Sequence, residues 1–150
     1  MKQPLLNTIS VLALSAALQV HAGISLNPDV TPETISKTIC VPGYTKTVRP
    51  SVSYTNGVKR KLMRARGIPA SDARLWELDH LVALGSGGHP RSLDNLVLQK
   101  RDGPDGARVK DVFEAKMQKM ICAHRIPLAT VQNCMYTDWQ ACANRYASSK

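Results

Sequence analysis

Trp76-Glu77-Leu78-Asp79-His80-Leu81-Val82-Ala83-Leu84, then Gly85-Ser86-Gly87-Gly88-His89-Pro90, then Asn95-Leu96-Val97-Leu98-Gln99, is the stretch that decides the fold. The first nine residues are strand-like in content, and the glycine-rich segment after them can only be a loop. A second apolar run resumes at Asn95. Arg101-Asp102-Gly103-Pro104-Asp105-Gly106 forms another loop. From Ala107 the period becomes helical, with Val109, Val112, Phe113, Met117, Met120 and Ile121 on one face. Pro127 stops that helix at or before Ile126, and a final helix is predicted over Leu128 to Tyr146.

Upstream, residues 23–30 read as a flexible lead. Thr31-Pro32-Glu33 has the form of a helix start, and Val41-Pro42-Gly43 is a turn. Thr55-Asn56 offers a cap for a second helix, closed by Gly67 and Pro69, with Arg60 and Arg64 on the side away from Val58, Leu62 and Ala65. No repeat interrupts the order helix, helix, strand, loop, strand, helix, helix. That order predicts one compact α+β domain.

The first 22 residues read as a signal peptide. Lys2 supplies the positive start, Ile9 to Val20 the apolar run, and Val20-His21-Ala22 a small-residue cleavage site before Gly23. The run falls short of the about 20 apolar residues that span a bilayer, so no stable membrane insertion is expected after processing. Export to the periplasm or medium suits Cys40, Cys122, Cys134 and Cys142, whose even number predicts two disulfides. Three pairings are open. On one unbroken helix Cys134 and Cys142 would lie about 12 Å apart, beyond the roughly 7 Å reach of a disulfide. No C-x-x-C pair points to zinc or thioredoxin-like chemistry.

Without its leader the chain keeps 19 Lys and Arg against 11 Asp and Glu, a formal charge of +8. Seven basic residues and no acidic one fall between Lys46 and Arg66. Such clustering favours a polyanionic partner: nucleic acid, anionic lipid or wall polymer. One Phe, four Tyr and two Trp argue against a base-stacking platform.

Phosphodiester hydrolysis needs a deprotonated water, neutralised phosphate charge and a stabilised leaving oxygen. His80 suits the first role near neutral pH. A Mg²⁺-like ion held by carboxylates suits the others. Glu77-Leu78-Asp79-His80, then Gly87-Gly88, then Asn95-Leu96, then a helix opening Gly106-Ala107-Arg108-Val109-Lys110-Asp111-Val112-Phe113-Glu114, place these groups in one order.

In these motifs the span from Glu77 to Glu114 resembles the HNH, or ββα-metal, endonucleases, in a secreted bacterial branch. Ile39-Cys40-Val41-Pro42-Gly43-Tyr44, Val48-Arg49-Pro50 and Asp138-Trp139 add to the likeness. The resemblance implies a small ββα-metal core flanked by helices and stabilised by disulfides. It makes His80 the general base, Asp79 a metal ligand, and Asn95 the residue that orients the histidine or fixes the hairpin. Glu77 is counted with His80 and Asn95 as a catalytic candidate.

The chain departs from the family in the following helix, where no histidine comes before His124. Lys110, Asp111 and Glu114 lie along one flank there. Asp111 and Glu114 are therefore expected to join Asp79 at the metal, Mg²⁺ first, with Mn²⁺, Ni²⁺ or Zn²⁺ as alternatives. Arg108 and Lys110, with Arg49, Lys59, Arg60 and Arg64, are expected to meet phosphate. Strand alternation sets Asp79 and His80 on opposite faces, so for both to reach one ion the strand would have to bulge or twist.

Two functions compete at this point. One is a metal-dependent endonuclease of low sequence specificity acting on DNA, or also RNA, including a toxin form whose partner would be an inhibitor or immunity protein. The other is a non-catalytic exported module that binds nucleic acid or an anionic polymer on a degenerate scaffold.

Overall fold

The computed structural model describes residues 23–147, so the expected signal peptide lies outside the described residues. Helix α1 (Tyr44–Val48) and helix α2 (Val52–Ala65) precede strands β1 (Trp76–His80) and β2 (Leu96–Lys100). Helices α3 (Ala107–Cys122) and α4 (Leu128–Arg145) complete an α+β domain around a two-stranded antiparallel sheet.

The strands pair in regular register from Trp76 opposite Lys100 to His80 opposite Leu96, and Asp79 faces Val97. The bulge that a shared ion would require is not there. Strand β1 also stops at His80 and does not run on to Leu84, because the Asn95 side chain replaces the next strand partner. Its Oδ1 accepts the Val82 N–H at 2.8 Å and its Nδ2 donates to the Val82 carbonyl at 3.0 Å.

Several local expectations change. Thr31-Pro32-Glu33 opens turns and a short 3-10 segment (Ile35–Lys37) instead of an α-helix. The Thr34 hydroxyl takes the Thr31 N–H at 2.8 Å and donates to the Asp29 carbonyl at 2.7 Å, a local alternative to helical bonding. Helix α2 begins three residues before Thr55: Ser51 caps it by accepting the Tyr54 N–H. The lead is not free either. The Asn27 N–H donates to the Gly87 carbonyl at 2.8 Å, the His89 N–H donates to the Ser25 carbonyl at 3.0 Å, and Leu26 bridges Gly88. Backbone left bare by the glycine loop is paired in this way.

The core lies where α3 and α4 cover the loop after β1. Val82, Met117, Val131 and Ile121 are fully buried, and Phe113 meets Trp139 with ring centroids 6.3 Å apart. Each such aliphatic side chain contributes about 1.5–3 kcal/mol on burial. Val109 and Val112, expected on the inner face of α3, are exposed instead; the inward row is Lys110, Phe113, Met117, Met120 and Ile121. Residues 110, 113, 117 and 121 repeat at helical spacing, so a lysine occupies a core position.

Cys40 pairs with Cys122, and Cys134 pairs with Cys142. The second pairing overturns the argument from an unbroken helix. Helix α4 breaks at Asp138 (φ −163°, ψ 93°), bringing the two Cα atoms to 5.7 Å. The Asp138 carboxylate then accepts the Ala141 N–H at 2.9 Å and caps the resumed turn. Chain-entropy reasoning separates the two bridges. Closing 82 residues is worth about 4.5 kcal/mol and closing 8 about 2.5 kcal/mol. Denaturant titration should therefore show the larger loss for Cys40→Ser/Cys122→Ser, and equal losses would discount that reasoning.

Among the described residues no helix is long and apolar enough to cross a membrane.

Candidate functional site

His80 closes β1 and is 6% exposed. Its Nε2 lies 3.1 Å from the Pro90 carbonyl oxygen. A carbonyl can only accept, so Nε2 carries the ring proton and the lone pair falls to Nδ1. Burial pulls the imidazole pKa below its ordinary value, Arg49 and Lys110 add to the effect, and the Pro90 carbonyl and Asp79 oppose it.

Asn95 holds Pro90 in place indirectly. It is 1% exposed, and besides clasping Val82 its Nδ2 donates to the His89 carbonyl at 3.0 Å, one residue before Pro90. The His89 ring accepts the Arg91 and Ser92 N–H groups at Nδ1, which stiffens the same turn. Gly88 passes so close beneath that a Cβ there would lie 1.8 Å from the Val82 carbonyl oxygen and 2.7 Å from Asn95 Nδ2. Of the two readings of Asn95, fixing the loop describes it, and the histidine is oriented through that loop. Asn95→Ala would leave the Val82 N–H and two carbonyls bare, at about 1–3 kcal/mol for each buried group. The expected result is a markedly lower melting midpoint and, where the variant folds, hydrogen exchange accelerated at Val82. An unchanged midpoint would contradict it.

Below His80, α3 supplies Lys110. Its Nζ donates to Asp79 Oδ2 at 2.9 Å, to the His80 carbonyl at 2.7 Å and to the Glu114 carboxylate. Lys110 is 2% exposed, so the expectation that it meets phosphate is corrected: its charge is spent inside the protein. Asp79 Oδ1 accepts the His80 N–H at 2.8 Å. Two carboxylates share one ammonium, and a buried excess of negative charge is costly. Burial accordingly pushes Glu114 up to about 7 against the pull of Lys110, with Asp79 and Asp111 adding to the rise. Burial lowers the Lys110 pKa, but Glu114 and Asp79 outweigh it and hold the amine protonated.

The expected ligands Asp79, Asp111 and Glu114 therefore do not form a ready cage. Asp79 and Glu114 close on Lys110, while Asp111 is exposed. Among the described residues no group of three His, Cys, Asp or Glu side chains is disposed to hold a metal ion. As arranged, these residues do not fit a divalent ion.

A polar cleft of about 170 Å³ opens beside this cluster, lined by Thr45, Arg49, Gly85, Asp111, Glu114 and Gln118 among others. Arg49 is exposed and close enough to His80 to influence its charge. The remaining candidates fall elsewhere. Glu77 lies three residues back along β1, about 10 Å at strand spacing, and pairs with Arg101 at 3.5 Å, so it is not placed beside His80. Lys59 donates to the Ala73 carbonyl at 2.8 Å, tying α2 to the turn before β1. Lys59, Arg60 and Arg64 line a separate groove floored by Met63, Ile68 and Ala73. Arg108 pairs with Asp102 at 3.3 Å on the surface.

Sequence reasoning missed the Pro90 carbonyl, which carries no side-chain signal, and the inward place of Lys110. The latter had a signal: its spacing to Phe113 and Met117 is that of the core row.

Compared with known proteins, the chain matches no known family, no curated protein and no solved structure.

Proposed function

We propose that this chain is an exported phosphodiester hydrolase of the HNH type, acting on DNA, or also RNA, with little sequence preference, with His80 as general base. One observation carries the reading: a buried histidine whose Nε2 is tied to a backbone carbonyl, leaving Nδ1 as the base, within the influence of Arg49, which lines a polar cleft. The order strand, glycine loop, strand, helix from Trp76 to Cys122 agrees with a ββα core. The two disulfides agree with export.

In this mechanism Nδ1 takes a proton from a water whose oxygen attacks phosphorus. The scissile P–O bond breaks, and the departing oxygen takes a proton from solvent. Arg49 meets the charge on the phosphate. Lys46, Arg60, Lys61 and Arg64, all exposed, hold the flanking backbone without reading bases. No step is routed through a divalent ion at Asp79, Asp111 and Glu114.

The test is incubation of purified protein with supercoiled plasmid and with RNA, with Mg²⁺ and with chelator. Absence of cleavage under every condition, with salt-sensitive binding retained, would instead establish the non-catalytic binding module, the reading favoured by the lack of a histidine in α3.

The pH profile is a further test. A general base works unprotonated, and burial keeps His80 unprotonated below its ordinary range. Cleavage should hold its plateau into mildly acidic solution and fall only as pH drops below about 6.5. An acid limb centred above that value would show that another group is titrating.

A further inference from the structure

The carboxylates expected to hold a divalent ion already hold a cation. Lys110 reaches them from the inward row of α3, so its charge is buried by the register of the helix and not by one choice of rotamer. An ammonium has three N–H bonds, and here all three have oxygen partners: Asp79 Oδ2, the His80 carbonyl and the Glu114 carboxylate. The other Asp79 oxygen is taken by the His80 N–H. A Mg²⁺-like ion needs about six oxygens in near-octahedral array. To enter, it would have to displace Lys110 and leave that ammonium buried without counter-ions, an arrangement proteins avoid.

We propose that Lys110 is the resident cation of this site, filling between Asp79, Glu114 and the His80 carbonyl the position a divalent ion would need. It is a positioning residue: it ties the His80 end of β1 to α3 and does not touch substrate. Its consequence for the reaction, cleavage without a divalent ion, rests on the hydrolase reading. The occupancy does not.

Mn²⁺ titration followed by the paramagnetic signal of the free ion tests the occupancy directly. Wild type should take up no stoichiometric Mn²⁺. Lys110→Ala should take up one ion and melt higher with it, and Lys110→Ala/Glu114→Gln should lose that uptake. A merely structural lysine would not create a metal site on removal. One ion bound by wild type and lost in Glu114→Gln would overturn the proposal, and those two proteins decide it even where Lys110→Ala fails to fold. In parallel, plasmid cleavage undiminished by chelator supports the consequence for the reaction, and cleavage abolished by chelator and restored by Mg²⁺ overturns that consequence. Failure to cleave under any condition removes the hydrolase reading, while the Mn²⁺ titration still decides what Lys110 does.

Discussion

Replacing His80 by alanine is expected to slow plasmid cleavage by about 10²–10⁴-fold, the usual contribution of a positioned general base. The side chain makes one hydrogen bond, to Pro90, and the carbonyl that Lys110 uses belongs to the backbone. The loss should therefore fall on rate far more than on folding. His80→Gln is the sharper variant, because its Nε2 amide can still donate to the Pro90 carbonyl while offering no base near neutral pH. Circular dichroism and the melting midpoint should stay close to wild type as cleavage disappears. Full cleavage by His80→Gln would end the mechanism.

The second large effect is on stability. Lys110→Met keeps the length and apolar stem of the side chain but strips Asp79, Glu114 and the His80 carbonyl of their shared donor. Removing one partner of a buried ion pair typically costs about 3–5 kcal/mol, which for a domain of this size lowers the midpoint by on the order of 10 °C. The sign of the pH dependence follows from what remains. Two carboxylates left without their cation repel and are poorly solvated, and protonation relieves both problems. The deficit should thus be larger at pH 8 than at pH 5, since Glu114 already sits at about 7 with the ammonium present and binds a proton more readily without it. Lys110→Met/Glu114→Gln should recover part of the loss at pH 8. A deficit that is independent of pH would mean that packing, and not charge, dominates at this position.

Much of this was legible before any coordinates. The α+β class, two short strands around a glycine loop, the helix from Ala107 and the stop at Pro127 are written in apolar spacing and in Gly and Pro placement. Asp79, His80 and Asn95 stood out by type and order, and the structure brings all three to one end of the hairpin. Other elements were misread for identifiable reasons. Counting apolar residues alone put Val109 and Val112 inside α3 and left Lys110 at its edge, because periodicity scores a lysine as solvent-facing. The break at Asp138 was invisible, since nothing like Pro or Gly marks it, and with it went the pairing of Cys134 with Cys142.

The sequence by itself determined the elements, their order and the residue types available for chemistry, because backbone preferences depend on near neighbours. Only the tertiary structure decided what those residues contact. Asp79 and Lys110 are 31 positions apart, and a charged side chain can lie buried only where distant segments deliver its counter-charges. That requirement turned a helix-edge lysine into the cation between Asp79 and Glu114, and the same long-range packing shows how Asn95 fixes the hairpin, by clasping Val82 and the His89 carbonyl next to Pro90.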